Sequence, residues 1–416
     1  MNILSIETSC DETSVAIISA AGGIAAPKVK VLSHTTLSQI QIHQKYGGVF
    51  PHLAQREHQK NLVPILIKAL EEAHSASSLQ KDGQAGQARS ASSGQARSTS
   101  FRSTQCKQMN IKPSVIKKIM KILEREPLML EAFLKHLPDL VRPPIDVIAV
   151  TNGPGLEPAL WVGVNFAKAL GELWGIPVIP VNHMEGHIAS AIFTKNKKCL
   201  QFPLLALLVS GGHTELVYSK KWGQYTRIGE TRDDAAGECF DKVARMLSLP
   251  YPGGPEISHL AAGDRKKFPL RKKKYNLPSP MIHSKDYDFS FSGLKTAVMY
   301  TLRKIPSITK KIKREIAREF EDAVVEVLVS KTKKALEMYP VKTLIAGGGV
   351  IGNPLLRKKL TEIVKGFPKI TPHFPPTTLA TDNALMIATA GYMDIAADKT
   401  TLKKKFSIKA FGNLKL

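Results

Sequence analysis

The stretch Leu-Leu-Ala-Leu-Leu-Val-Ser-Gly-Gly-His-Thr-Glu-Leu-Val-Tyr, residues 204–218, decides the fold class. Six consecutive apolar residues at 204–209 predict a buried strand. The polar turn Ser210-Gly211-Gly212 follows, and residues 215–218 return as an antiparallel partner. Glycines in such a turn let backbone amides approach an anion closely. A strand that ends in an open glycine turn is therefore predicted to face a ligand.

A second apolar strand, Thr343–Ala346, ends in the similar turn Gly347-Gly348-Gly349. Neither turn has the P-loop or the GxGxxG pattern. Strands alternate with helices elsewhere, which indicates an α/β architecture. Two such turns and a polar first hairpin (residues 3–18) are typical of actin-like and sugar-kinase-like nucleotide folds. We therefore expect two related α/β lobes with a ligand cleft between them.

The lobes are expected to occupy residues 1–180 and 181–384, and a C-terminal helix and tail at 385–416 should return to the first lobe. Residues 74–142 look like an insertion between a helix and a strand that would otherwise be neighbours. Residues 75–105 are rich in Ser, Gly, Gln, Ala and Arg, and this composition predicts disorder.

The composition favours a cytoplasmic protein without membrane segments. No apolar window is long enough to cross a bilayer, and the acidic N-terminus is unlike a signal peptide. The cysteines are too few and too scattered for a disulfide framework, so a reducing cytoplasm fits best. They are Cys10, Cys106, Cys199 and Cys239.

The chain is strongly basic, with 59 Lys and Arg against 35 Asp and Glu and a formal charge of +24. An imbalance of this size favours polyanionic partners. The densest basic runs lie at 265–274, 310–314 and 403–405. A solvated basic surface explains them as well as contact with nucleic acid does, and charge alone leaves both open.

The segment His-Met-Glu-Gly-His at 183–187 places two histidines one helical turn apart, a spacing that suits one metal ion. Met184 stands where a zincin has its catalytic glutamate, so a metallopeptidase is disfavoured. Asp382 precedes an apolar helix, either as its N-cap or as a third ligand. Two histidines and one carboxylate suit non-haem iron, with zinc or magnesium still open. Two structural histidines remain the alternative.

Residues 233–242 contain four carboxylates, and Asp234, Glu238 and Asp241 would lie on neighbouring faces of a helix. Such a cluster is either a helix start favoured by the macrodipole or a binding site. The turn Tyr-Pro-Gly-Gly-Pro at 251–255 follows and can approach a ligand through its backbone.

Ten motifs in one order give the chain a resemblance to the bacterial TsaD family, the tRNA threonylcarbamoyladenosine transferases. The resemblance covers nearly all of the chain outside 74–142 and the C-terminal tail. The motifs are IETSCDET (6–13), GGVFP (47–51), NGPGL (152–156), HMEGH (183–187), LVSGGHT (208–214), DDAAGECFDK (233–242), YPGGP (251–255), FSFSGLKT (289–296), GGVIGN (348–353) and TDNA (381–384).

The resemblance implies a two-lobe actin-like, Hsp70-like (ASKHA) fold. It also implies transfer of threonylcarbamoyl from threonylcarbamoyl-AMP to the exocyclic amine of the adenosine just 3′ of the anticodon, in tRNAs that read ANN codons. AMP is released. The implied partners are tRNA, a TsaB-like paralogue, a TsaE-like ATPase and a TsaC-like synthase that supplies the adenylate.

The resemblance also implies a role for individual residues. One divalent metal, most readily Fe²⁺, would be bound by His183, His187 and Asp382. Asp11 and Glu12 would lie where the acceptor amine arrives, and from that position alone we expect a carboxylate, first of all Asp11, to act as the base. The adenylate would be held by Leu208, Val209, Ser210, Gly211, Gly212, Asp241, Gly254 and Asn353.

Two other classes remain as alternatives. An actin-like ATPase or sugar kinase would share the fold but leaves the histidine pair unexplained. A metallopeptidase would use the histidines but lacks the glutamate beside the first of them.

Overall fold

The computed structural model describes residues 1–85, 111–194, 200–270 and 272–416. Within these residues ten strands form two five-stranded sheets. The strands are β1 Asn2–Glu7, β2 Glu12–Ala21, β3 Lys28–Ser38, β4 Val147–Gly153, β5 Val178–Asn182, β6 Leu204–Val209, β7 Thr214–Lys221, β8 Gln224–Glu230, β9 Thr343–Gly347 and β10 Thr371–His373.

Helices cover both faces of the sheets. They are α1 Ile40–Gln44, α2 Pro51–Ala85, α3 Pro113–Ile122, α4 Pro127–Lys135, α5 Glu157–Trp174, α6 His183–Ala189, α7 Ala236–Met246, α8 Gly253–Lys267, α9 Ser292–Arg303, α10 Lys310–Met338, α11 Pro354–Val364 and α12 Ala384–Ala397.

The two sheets have the same strand order, β3-β2-β1-β4-β5 in the first and β8-β7-β6-β9-β10 in the second. In each sheet, three antiparallel strands are joined through their first strand to two parallel strands. The central strands β4, β6 and β9 are buried along their whole length, which explains their continuous apolar sequences. This duplicated topology confirms the predicted two-lobe, actin-like α/β fold.

Helices α6 and α12 lie between the two sheets and share one core with both of them. Gly186 of α6 makes their close approach possible, because a Cβ there would lie 2.9 Å from Ile387 Cδ1 of α12. The start of α6 and the start of α12 therefore meet at the centre of the molecule. These are the two places where the sequence predicts metal ligands.

The predicted insertion at 74–142 is partly built into the first lobe. Helices α3 and α4 pack on α5 and α2, and Met129 and Phe133 are fully buried in the same core as Phe166. Residues 75–85, part of the stretch predicted to be disordered, continue helix α2. The rest of the stretch predicted to be disordered, 86–105, lies outside the described residues.

The C-terminal residues contact the first lobe. Helix α12 packs against β1, β2 and β5. In the tail, the Phe411 amide donates to Asn152 O (2.8 Å), and the Gly155 amide donates to Gly412 O (3.0 Å). In the described part of the chain, no helix is both long and apolar enough to cross a membrane.

Candidate metal and nucleotide site

The histidine pair is positioned by a local helix cap. Strand β5 ends at Asn182, whose Oδ1 accepts from the Met184 amide (2.8 Å) and the Glu185 amide (3.4 Å). An N-cap of this kind fixes where a helix begins. Helix α6 therefore starts at His183, and His187 lies one turn later on the same face, with ring centroids 4.7 Å apart.

Asp382 completes a cluster with the two histidines. Its Oδ1 lies 3.5 Å from His183 Nε2 and 3.3 Å from His187 Nε2. One ligand atom from each of the three residues lies within 4.8 Å of the others. Asp382 is not the N-cap of α12, because Asn383 Oδ1 accepts from the Met386 amide (3.1 Å) and takes that role. The Asp382 carboxylate is thereby available to the histidines.

The electrostatics of the cluster suit a cation. Although burial opposes the charged form of each group, the neighbouring carboxylates raise the pKa of His183 well above its usual value. The same ion pairs lower the pKa of Asp382 against its own burial. His187 Nδ1 is buried and has no hydrogen-bond partner among the described residues. A partly exposed, ionised carboxylate facing two buried imidazoles is the donor set of a two-His, one-carboxylate centre with open positions.

Sequence reasoning missed a buried carboxylate that contacts His183 on the side away from Asp382. Glu7, at the end of β1, is fully buried, and its Oε2 lies 3.4 Å from His183 Nδ1. The Thr151 hydroxyl (2.5 Å) and the Ser9 amide (2.6 Å) donate to the same carboxylate. A carboxylate on one imidazole nitrogen fixes the ring so that the other nitrogen faces the metal. The available signal was a glutamate at the end of an otherwise apolar, buried strand.

Asp11 ends the turn between β1 and β2, and Glu12 is the first residue of β2, beside this cluster. Burial raises the pKa of Asp11, and the nearby Asp382 carboxylate adds to the effect. Burial, Asp11 and Asp382 raise the pKa of Glu12 well above its usual value. Crowded acids of this kind hold protons that isolated surface carboxyls would lose. The turn is therefore suited to accepting and releasing a proton close to the cluster.

The predicted anion-binding turn lies on the other side of the cluster. Because β6 and β9 are adjacent and parallel, the turns at 210–212 and 347–349 lie at the same sheet edge. Ser210 Oγ accepts from the amides of Gly212 (3.3 Å) and His213 (3.1 Å), which rigidifies the first turn. Cβ atoms at Gly211 and Gly212 would meet nothing within 4 Å, so this backbone faces open space.

Not every residue predicted to bind the adenylate lines this space with its side chain. Leu208 and Val209 are buried in two different cores, and they support the turn rather than line it. A Cβ at Gly347 would lie 2.9 Å from His187 O, so the glycine turn at 347–349 packs directly on α6. That packing requires glycine and places this turn against the helix that carries the histidines.

Asp241 lies in the middle of α7, Gly254 in the first turn of α8, and Asn353 at the start of α11. Asp241 Oδ1 accepts from the Gly253 amide (2.7 Å) at the start of α8. Gly254 has open space beside it. Asn353 caps α11 through Oδ1, and its Nδ2 donates to Ser258 Oγ (2.7 Å), so its side chain is already bonded within the protein.

The two lobes face each other at Asp241. Burial raises the pKa of Asp241, the Asp11 carboxylate from the first lobe adds to the rise, and Arg245 opposes it. Burial and the carboxylates of Asp11 and Asp241 together also raise the pKa of Tyr251. The tyrosine of the YPGGP turn and acids of both lobes thus interact electrostatically.

The densest basic run is not a free positive surface. Arg265 pairs with Glu321 (2.5 Å) and Asp322 (2.6 Å), and Lys274 lies 3.4 Å from Glu315. Lys273 also faces α10, since its Nζ lies 3.7 Å from a carboxylate oxygen of that helix. Much of the charge at 265–274 therefore neutralises the acidic face of α10, which sequence spacing did not reveal.

Comparison with known proteins gives one consistent family. A sequence model of the family described as "TsaD: tRNA N6-adenosine threonylcarbamoyltransferase" matches residues 30–80 and 123–389. The segment it leaves unmatched inside the chain, 81–122, is shorter than the predicted insertion at 74–142.

Proteins named tRNA N6-adenosine threonylcarbamoyltransferase are similar over almost the full length. The one from Thermosipho africanus is 39% identical over 100% of both chains. The one from Bacillus cereus is 38% identical over 94% of this chain and 90% of its own. Among solved structures, full-length HypF aligns over 68% of this chain and 51% of its own, at 14% identity and a TM-score of 0.45. The fold assignment therefore rests on strand order.

Proposed function

The chain belongs to the TsaD family of tRNA N6-adenosine threonylcarbamoyltransferases, and from that premise we propose how its cleft carries out the transfer. The enzyme is an acyltransferase that modifies tRNA, and the kinase and metallopeptidase alternatives are not favoured. The proposed donor is threonylcarbamoyl-AMP. The proposed acceptor is the exocyclic amine of the adenosine 3′ of the anticodon, in tRNAs that read ANN codons.

His183, His187 and Asp382 would hold one divalent cation. Iron(II) is the proposed ion, because two imidazoles and a carboxylate with open positions are its common ligand set. When bound there, the cation supplies Lewis-acid polarisation to oxygen atoms of the threonylcarbamoyl group. Glu7 and Ser9 orient His183 from behind, through contacts of 3.4 Å and 3.2 Å to its Nδ1.

The Ser210–Gly212 turn is proposed to bind the phosphate of the adenylate. Its glycine backbone is open on one side and held by the Ser210 hydroxyl on the other. Preorganised amides can stabilise the charge that grows on a leaving phosphate. Asp241 and Gly254, at the start of α8, are proposed to hold the nucleoside, and Asn353 positions α8 against α11 through Ser258.

Asp11 is proposed as the proton acceptor. The adenosine amine forms a bond to the carbamoyl carbon, and the bond from that carbon to the phosphate oxygen breaks, which releases AMP. The proton lost by the amine passes to the Asp11 carboxylate, whose raised pKa suits this transfer. Because the mixed anhydride is already activated, no covalent enzyme intermediate is needed.

The finer partners and the compartment are also proposals. A TsaB-like paralogue, a TsaE-like ATPase and a TsaC-like synthase follow from the family. A reducing cytoplasm is supported by Cys10 and Cys239, which are free thiols.

The convergence of His183, His187 and Asp382 next to an open glycine turn carries the proposal. It is tested by incubating the purified protein with unmodified tRNA and threonylcarbamoyl-AMP, with and without the proposed partners. Nucleoside mass spectrometry should show threonylcarbamoyladenosine and one released AMP per transfer, and His187→Ala should abolish both. Metal analysis of anaerobically purified protein should show iron. Product formation that His187→Ala leaves unchanged would contradict the site.

A further inference from the structure

Two exposed aromatic side chains lie together in the loop that joins α1 to α2. Tyr46 is 57% exposed and Phe50 is 54% exposed, and their ring centroids lie 5.2 Å apart with the planes tilted by 48°. Single exposed apolar residues are common on protein surfaces and need no explanation. A contacting pair of largely exposed rings in one short loop leaves two faces available to a planar ligand.

This loop lies at the cleft, where the two lobes meet. The Arg245 guanidinium of α7 donates to Gly47 O, between the two aromatic residues in sequence. Gly47 has φ +67, and a Cβ there would lie 3.4 Å from the guanidinium, so glycine lets the loop close on Arg245. Arg245 follows Asp241 by one turn of α7. The aromatic pair therefore borders the proposed nucleoside position.

A chain of hydrogen bonds through buried side chains connects the loop to the turn that carries Asp11. The Phe50 amide donates to His43 Nδ1 (3.3 Å), and His43 Nε2 lies 3.1 Å from Gln39 Oε1. The Gln39 amide donates to Asp11 O (2.9 Å). Gln39 and His43 are both almost completely buried. The position of the rings is thereby fixed relative to the proposed base.

Basic residues flank the pair along the chain, and a third basic residue contacts the loop between the two rings. Lys45 precedes Tyr46, Arg56 lies one helical turn beyond the loop in α2, and both are exposed. Arg245 adds a third cation from the opposite lobe. Aromatic faces beside cationic side chains are the recognition pattern for unpaired nucleotides, whose bases stack while the phosphates are neutralised.

We propose that Tyr46 and Phe50 form a stacking platform for an unpaired base of the tRNA anticodon loop, next to the acceptor adenosine. The inference rests on the proposed function. An adenosine that reaches Asp11 must leave its stack, and its neighbour then needs another surface to stack on. The platform would supply that surface and hold the loop at the cleft.

The test uses an unmodified anticodon stem-loop RNA with 2-aminopurine 3′ of the acceptor adenosine. Stacking on the platform should quench its fluorescence when the wild-type protein binds. The double variant Tyr46→Ala/Phe50→Ala should lose most of this quenching and bind about 5- to 150-fold more weakly, the range expected for one lost stacked base. Its affinity for AMP should be unchanged.

Two controls make the result specific. Tyr300→Ala removes a tyrosine of α9 that is equally exposed, at 53%, and also has an arginine beside it; it should change neither quenching nor affinity. Tyr46→Phe, which keeps the ring, should behave as wild type. If the double variant quenches and binds as the wild type does, the platform is wrong. The platform is also wrong if the double variant binds RNA normally and loses only its binding to a partner protein. Failure of wild-type protein to form threonylcarbamoyladenosine would instead overturn the proposed function.

Discussion

The turn after β1 and the turn after β6 occupy equivalent positions in two sheets of the same strand order, yet they are built in opposite ways. In the first turn, Thr8, Ser9 and Asp11 are at most 7% exposed, and the polar side chains point inward. In the second turn, Gly211 and Gly212 are exposed and nothing lies above their backbone. One turn offers side chains, and the other offers amides.

The difference shows how a duplicated scaffold can divide a reaction. The Glu7 carboxylate of the first lobe is stabilised by His183, 3.4 Å away, and in the proposed reaction Glu7 orients that histidine while Asp11 accepts a proton. Open amides on the second lobe need no side chain to receive a phosphate. Helix α6 lies between the two, with its histidines facing Asp382 and its His187 carbonyl against the glycine turn at 347.

The largest effect should come from removing the acid of the first turn. Asp11→Asn is expected to slow single-turnover transfer by about 10²- to 10⁴-fold, because an amide cannot accept the amine proton. AMP binding, which depends on the second turn, should be retained. Asp146→Asn, at an exposed position of the same lobe, serves as the control. A parallel loss of AMP affinity would show that the division between the turns is false.

The next effect concerns Glu7, which precedes the first turn and contacts His183. Glu7→Gln should weaken divalent-metal binding by about 10- to 100-fold, because a neutral amide holds the His183 ring less firmly. Competition with a chelator measures this without any catalytic assay. Glu126→Gln removes another buried carboxylate of the first lobe, one bonded to Asn165 (3.1 Å), and should leave metal affinity intact. Equal losses in both variants would indicate general destabilisation.

Substitution in the second turn should weaken nucleotide binding and leave the fold intact. Gly211→Ala introduces a methyl group into open space, so AMP affinity should fall by about 10-fold, as for one blocked hydrogen bond to a charged group, with unchanged thermal stability. Gly237→Ala is the structural counterpart, because its Cβ would lie 2.6 Å from Ser210 O. That variant should lose roughly 1–3 kcal/mol of stability. If Gly211→Ala also lowered thermal stability, position 211 would not differ from the packed position 237.

The smallest effect is on folding stability in the metal-free protein. Glu12 and His213 should make that stability depend on pH in opposite directions. Burial raises the pKa of Glu12, so above the ordinary carboxyl pKa the folded state holds the extra proton and stability falls as pH rises. Burial lowers the pKa of His213, in the second turn, to about 4. Between 6.5 and about 4 the unfolded state takes up the proton first, so stability falls as pH falls.

Thermal melts across pH separate the two turns. Glu12→Gln should stabilise the protein increasingly from pH 4 to pH 8. His213→Asn should stabilise it only on the acidic side, by on the order of 1–3 kcal/mol near pH 4. If both variants shift the curve of stability against pH in the same direction, the two turns do not have opposite electrostatic environments.

The site was predictable where it depends on local pattern. The spacing of His183 and His187, the glycine turn at 210–212 and the acids of the first hairpin are all visible along the chain. Asp382 was predicted as a possible ligand, but its alternative as an N-cap was excluded only by the hydrogen bond that the Met386 amide donates to Asn383 Oδ1. Glu7 was missed because its role depends on His183, which reaches it from another strand end.

Sequence alone determined the first hairpin, the strands β6, β7 and β9, the glycine turns after β6 and β9 and the one-turn histidine pair, because these depend on hydrophobic periodicity and on neighbouring residues. Only the tertiary structure decided that α6 and α12 meet between two equivalent sheets, that Arg265, Lys273 and Lys274 pair with acidic residues of α10, and that Phe133 belongs to the core of the first lobe. Those facts depend on which buried surfaces pack together. Packing joins residues that are distant along the chain, and the pattern of one segment does not contain the identity of its partner.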